Sequence, residues 1–245
     1  MRFKDKVAIV TGAASGIGLA AARRFGSEGA RVMIVDIKPD RALAAAQEVQ
    51  QAGAPAAKSV ECDVSRESAV EHAVAATIDA FGRWDVLVNN AGLMVFKPLE
   101  EQTGDDWWKV LNVDLLGAFY FTKQAFLRMN KGGAIVNVSS IHAVETTPLV
   151  SAYAAAKAAL LSLTRSTSME GKAKGIRANA ILPGAVNTPM LWENPNVKAG
   201  VEKIDRSVLG SPENLAAVIA FLAADESEFV RGSAVVVDGG RLDRL

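Results

Sequence analysis

Short, nearly continuous apolar runs alternate with longer stretches in which apolar positions recur every three or four residues. Runs of the first kind stand at Val7 to Thr11, Arg31 to Asp36, Ala56 to Cys62, Asp85 to Asn89, Ala134 to Ser139, Ile176 to Leu182 and Ala234 to Val237. Strands covered on both faces have this pattern, so the runs predict about seven parallel strands. Stretches of the second kind, at Ile17 to Glu28, Pro39 to Gln51, Arg66 to Phe81, Thr103 to Asn130, Ser151 to Lys174 and Ser211 to Ala224, predict the helices between them. Such alternation predicts an α/β fold, a doubly wound parallel sheet with helices on both faces. The one long irregular connection, Pro183 to Gly210, carries Pro183, Pro189, Pro195 and three glycines. Connections of that length in a compact domain usually serve function, and this one is expected to be a substrate lid near residues 184–210.

Length and charge narrow the picture. The 245 residues suit one domain spanning 1–245. With 27 basic and 27 acidic residues there is no excess field to draw the chain to nucleic acid or an anionic membrane, so the expected partners are small molecules or further copies of the chain. A single cysteine, Cys62, excludes an internal disulfide framework, and with only His72 and His142 beside it no metal site is expected. The polar start Met1 to Lys6 runs into a short apolar block and a glycine turn, the pattern of a mature cytoplasmic N-terminus. Leu215 to Ala224, the longest apolar helical stretch, falls short of the roughly 18 residues needed to cross a bilayer.

Chemistry concentrates between Ser140 and Lys157. The helix former-rich segment V-S-A-Y-A-A-A-K, with Ser151 as its expected N-cap, places Tyr153 and Lys157 four apart on one helical face. A phenol ordinarily ionises near pH 10, and a neighbouring ammonium lowers that value enough to make it a usable base. An ordinary helix pair with Lys157 reaching to water is the alternative for this spacing alone. The strand at Ala134 delivers Ser139 and Ser140 to the carboxyl edge of the sheet, where open α/β folds bind ligands.

A second constellation begins at Val7, where V-A-I-V-T-G-A-A-S-G-I-G reads strand, glycine turn, helix. Amide groups at such a helix start suit a pyrophosphate, and glycines let it approach. Asp36 ends the second strand 18 residues past Gly18, where an acid would bond the adenosine ribose and repel a 2′-phosphate; its alternative is a cap ahead of Pro39. Ile37, rather than a cation, follows it, although Lys38 is close. Asp63 of Cys62-Asp63-Val64 either meets adenine or caps the next helix with Ser65.

These motifs, together with N-N-A-G at Asn89 to Gly92, Asn112 in a long helix, Ser139-Ser140, Pro183-Gly184 and V-D-G-G at Val237 to Gly240, resemble the short-chain dehydrogenase/reductase family over essentially the whole chain. The resemblance implies a Rossmann fold and an NAD-dependent oxidoreductase moving a hydride between nicotinamide and a carbonyl or secondary alcohol carbon. It implies Tyr153 as general acid/base, Lys157 as the cation that lowers its pKa, Ser140 as substrate-orienting serine and Asn112 as the residue that interrupts its helix and links Lys157 to solvent. For the cofactor it implies Gly12, Ser15, Gly16, Ile17, Gly18, Asp36, Asp63, Val64, Asn90, Ala91, Gly92, Pro183, Gly184, Val186 and Thr188, alongside Tyr153 and Lys157. The substrate walls it implies include Met94, Phe96, Met190 and Trp192, with His142 as a further candidate contact. These apolar side chains imply an uncharged alcohol or ketone, while Lys198 and Lys203 lie farther along the lid; their alternative role is packing within it.

Family members also tend to be homotetramers joined through the two long helices. Two departures leave the substrate open: Ile141, His142 and Ala143 stand where a glycine is common, and Ser207 to Glu213 has Val208 in place of an arginine. The rival readings are an NADP-dependent 3-oxoacyl-thioester reductase and a nucleotide-sensing protein of the same fold that has lost turnover.

Overall fold

The computed structural model describes residues 1–200, 204 and 209–242; Lys203, Ser207 and Val208, singled out above, lie outside the described residues. All seven expected strands form: β1 (Val7–Thr11), β2 (Arg31–Asp36), β3 (Ala57–Glu61), β4 (Val86–Asn89), β5 (Ala134–Val138), β6 (Arg177–Pro183) and β7 (Ala234–Val237). They pair in parallel in the order β3-β2-β1-β4-β5-β6-β7. Chain order reverses direction between β1 and β4, and a crevice opens at their carboxyl ends.

Alternate side chains of each strand serve opposite layers. Ala8, Val10, Val32 and Ile34 pack against helices α1 (Gly16–Ser27), α2 (Pro39–Gln51) and, beyond the long connection after β6, α9 (Pro212–Ala223). On the other face Val7, Ile9, Met33 and Val35 meet α3 (Glu67–Phe81) and, beyond a break, α5 (Gly117–Arg128), which packs on α6 (Ser151–Gly171). Burial on both faces is the physical reason the strands read as continuous apolar runs.

Three local departures matter. The stretch Thr103 to Asn130 is not one helix: α4 (Gly104–Leu111) opens on a Thr103 capping box, a π-turn spans Asn112–Leu116, and α5 follows. Val150, not Ser151, is the N-cap of α6; the Ser151 hydroxyl instead donates to Gln102 Oε1 at 2.8 Å, which ties the start of α6 to the segment before α4. The connection after β6 is less irregular than expected, because Pro189 and Pro195 sit near the starts of two short helices, α7 (Pro189–Glu193) and α8 (Pro195–Lys198), and Val186 bridges Gly210.

A buried polar chain fixes how α6 sits on the sheet. Asn89 Nδ2 donates to Asn137 Oδ1 at 2.8 Å, Asn137 Nδ2 to Thr164 Oγ1 at 2.8 Å, and Thr164 Oγ1 to the Leu160 carbonyl at 2.8 Å. One side chain each from β4, β5 and α6 is thereby linked, and slipping α6 would break the chain of bonds. Among the described residues, no helix is long and apolar enough to cross a membrane.

Candidate active site

A cleft of about 680 Å³ runs along the carboxyl edge from Asp36 to Tyr153. At one end β1 turns through Gly12 into α1, whose N-cap Ser15 has extended backbone and makes no side-chain cap bond. The amides at the start of α1 therefore open toward the cleft without a side-chain cap. Gly18 does not line the cleft. Its hydrogen is needed for packing, since a Cβ there would stand 2.5 Å from the Gly12 carbonyl oxygen and 2.6 Å from Asn90 Nδ2.

The end of β4 is sewn onto this turn. Asn90 Nδ2 donates to the Thr11 and Gly12 carbonyls at 2.9 and 3.1 Å, and the Asn90 and Ala91 amides donate to Thr11 Oγ1 at 2.9 and 3.0 Å. Across the cleft, Thr188 brings its methyl within 3.3 Å of where a Cβ on Gly16 would lie. Its hydroxyl donates to the Val186 carbonyl at 3.3 Å, and Pro183, Gly184 and Val186 complete that wall.

Asp36 accepts from the Ala14 amide at 3.1 Å and the Lys38 amide at 3.1 Å, so its carboxylate is oriented by backbone on both sides. Ile37, Lys38 and Arg41 line the same end, Arg41 through its tertiary position rather than through any motif. Asp63 accepts from the Ser65 amide and hydroxyl at 3.0 and 2.6 Å while still lining the cleft beside Val64; α3 takes Arg66 as its N-cap. Burial, helped by Asp63, pushes the neighbouring Cys62 thiol up to about 12, which makes it an inert wall rather than a nucleophile.

At the other end, α6 brings Tyr153 and Lys157 to the floor, both buried. The Tyr153 ring sits in an apolar cluster with Val110, Val150 and Ala156, flanked by Met94, Phe96 and Trp107. Ser139 and Ser140 divide their work. Ser139 Oγ donates to the Lys157 carbonyl at 2.8 Å and fixes α6 to β5, while Ser140 Oγ accepts from the His142 amide at 3.2 Å and also reaches Tyr153. The His142 ring stands 5.9 Å from the Tyr153 ring, edge to face.

Lys157 Nζ lies 5.4 Å from the Tyr153 ring centroid, donates to the Val138 carbonyl at 3.1 Å and stands 3.2 Å from Asp114 Oδ2. Burial holds the Tyr153 phenol above its ordinary value; Lys157 and the Ser140 hydroxyl oppose that rise and Asp114 adds to it. For Lys157 the desolvation of burial is outweighed by Asp114 and Tyr153, and the ammonium is held above its usual range.

Most of the expected site residues are thus brought into one cleft, but Gly18, Asn112 and Trp192 are not. Asn112 opens the π-turn, half-buried and outside the cleft lining, and among the described residues no hydrogen bond or ion pair joins it to Lys157. Asp114, two residues on, occupies that position. Trp192 is 40% exposed and donates from Nε1 to Asn187 Oδ1 at 2.7 Å within the same connection, whereas Met94, Phe96, His142 and Met190 do line the cleft. Arg241, near the end of the described chain, lines it as well.

The family model described as "Enoyl-(Acyl carrier protein) reductase" matches residues 12–241. The chain belongs to the short-chain dehydrogenase/reductase family, and it is an oxidoreductase of the kind that acts on CH–OH groups with a nicotinamide cofactor. It is 38% identical to 3beta-hydroxysteroid dehydrogenase 1 of Eggerthella lenta, over 97% of this chain and 94% of that one. It is 36% identical to a 3-oxoacyl-(acyl-carrier-protein) reductase of Thermotoga maritima, over 98% and 99%. The crystal structure of levodione reductase superposes with a TM-score of 0.93 at 34% identity, covering the whole of both chains.

Proposed function

We propose that the chain is an NAD-dependent oxidoreductase that interconverts an uncharged, substantially apolar ketone and its secondary alcohol, with Tyr153 carrying the proton. The observation that carries this reading is the continuity of one cleft from the glycine turn and Asp36 to the Tyr153, Lys157 and Ser140 floor. The residues fit a dinucleotide: the start of α1 takes the pyrophosphate, Asp36 the adenosine ribose, and Thr188 with Lys157 the nicotinamide end. When bound, the nicotinamide supplies the acceptor or donor of hydride.

The chain's own residues do the rest. Ser140 orients the substrate oxygen, and Tyr153 gives that oxygen its proton in reduction and removes it in oxidation. The apolar cluster around Met94 and Phe96 excludes water from the reacting carbon. Ile141, Met190 and Leu191 give the substrate end of the cleft an apolar lining, and a relative that acts on a hydroxysteroid supports the same class. The exposed Trp108, Leu127 and Met169 on α4, α5 and α6 support association through these helices into a homotetramer of single-domain chains, acting in the cytoplasm with the segment from 184 as substrate cover.

An NADP-dependent 3-oxoacyl-thioester reductase is the second reading, favoured by Lys38 and Arg41 beside Asp36 and by the Thermotoga maritima relative. Catalytic efficiencies with NAD and NADP, measured across cyclic ketones, hydroxy acids, polyols and acyl thioesters, separate the two. NAD with an apolar ketone is expected to be best, and Asp36→Ala is expected to raise relative use of NADP by removing a charge that repels the 2′-phosphate. Equal use of NADP by the unmodified protein, with highest efficiency on an acyl thioester, would transfer the assignment to the second reading.

A further inference from the structure

The π-turn between α4 and α5 delivers a carboxylate that the proposed chemistry does not ask for. Asp114 is 1% exposed, in a helix break where a polar side chain has no access to bulk water. Its Oδ1 accepts from the Leu93 amide at 2.9 Å and its Oδ2 stands 3.2 Å from Lys157 Nζ. The backbone closes over the pair: a Cβ on Gly92 would lie 2.9 Å from Asp114 Oδ2 and 3.2 Å from Lys157 Nζ. Burial raises the Asp114 carboxyl above its ordinary range, while the Lys157 ammonium and the Leu93 amide oppose that rise and favour the ionised form.

The arrangement changes what Lys157 does for Tyr153. An unpaired ammonium a few ångströms from a phenol lowers its pKa by about 1 to 3 units. A carboxylate on that same ammonium cancels much of its field, and in a desolvated site solvent does little to screen either charge. The titratable groups facing the pair are Tyr153 on α6 and, beyond its ring, His142; the loop after β4 offers only backbone at Gly92 and Leu93, and Cys62 and Asp63 line the cleft from the end of β3.

We infer that Asp114 is a positioning residue of this active site: its carboxylate neutralises Lys157 and keeps Tyr153 in the phenol form, which biases the site toward carbonyl reduction near neutral pH. In that direction the substrate carbonyl carbon gains a hydride that a bound reduced nicotinamide would supply, its oxygen gains the Tyr153 proton, and the phenolate left behind is reprotonated from solvent. Removing the carboxylate stabilises the phenolate and favours the oxidative direction. The inference rests on Tyr153 being the proton carrier.

Tyr153 can be titrated alone, because the chain has only two tyrosines and Tyr120 lies outside the site with its ring against Phe119. In a Tyr120→Phe background, phenolate absorbance of the protein without cofactor is followed against pH, with and without Asp114→Asn. The midpoint is expected to fall by about 1 to 2 units when the charge is removed. The rising limb of the oxidation rate is expected to move down by a similar amount. Asp114→Glu, which keeps the charge, is expected to stay near the parent, and Asp114→Ser supplies a second neutral variant should the asparagine variant fold poorly. An unchanged or raised midpoint in the neutral variants overturns the inference and leaves the Tyr153 assignment standing. Near-normal turnover by Tyr153→Phe overturns that assignment, and the inference with it.

Discussion

Tyr153→Phe is expected to lower turnover about a thousandfold in both directions while leaving NADH binding nearly intact, the scale that a positioned acid or base contributes. The substitution removes one oxygen from a ring held by Val110, Val150 and Ala156, so the packing that seats it survives. The oxygen is the atom that hydrogen-bonds Ser140, and with it goes the proton path to the substrate. Turnover and cofactor titration on the same preparation check both halves. Near-normal rates would move proton transfer elsewhere, with His142, 5.9 Å from the ring, the next candidate.

Lys157→Ala is expected to be worse, because it damages stability as well as chemistry. It leaves the Asp114 carboxylate buried without its cation, and breaking a buried pair on one side costs about 3–5 kcal/mol. Burial already holds the Asp114 carboxyl above its ordinary range in the parent, and without the opposing Lys157 charge its pKa rises further in the variant, so the folded state binds that proton more tightly. The deficit is therefore absent below the ordinary carboxylate range and grows as pH rises through the raised folded-state pKa. Urea unfolding at several pH values reads this directly. The double variant Lys157→Ala/Asp114→Ala is expected to recover part of the stability and none of the activity. A single variant as stable as the parent at neutral pH would mean that the pair is not the buried, charged unit described here.

The contrast between these residues shows what the sequence makes legible. Strands buried on both faces announce themselves as apolar runs, and all seven were found with ends shifted by a residue or two at most. The placement of Tyr153, Lys157, Asp36 and the glycine turn along one cleft was legible because it follows from local spacing: four residues on a helix, or a strand followed at once by a helix. Asp114 was not legible. The stretch Asn112–Leu116 has an ordinary helical pattern, so neither the π-turn nor the burial of one polar residue within it shows in the sequence. Its partner Lys157 lies on another helix, and only the packing of the π-turn on α6 brings the two together. Asn137 was equally hidden, since an asparagine inside a strand shows its purpose only when Asn89 and Thr164 are seen on either side. Arg41 and Arg241 reached the cleft for the same reason, through tertiary position rather than motif.

The account turns on direct hydride transfer at a carbon whose oxygen Tyr153 serves. A secondary alcohol carrying deuterium on its carbinol carbon, mixed with the protein and NAD, tests this in one turnover. Deuterium is expected on the reduced nicotinamide, with NADH formation slowed by the label and lost in Tyr153→Phe. Unlabelled NADH formed at an undiminished rate from the deuterated alcohol would contradict the account.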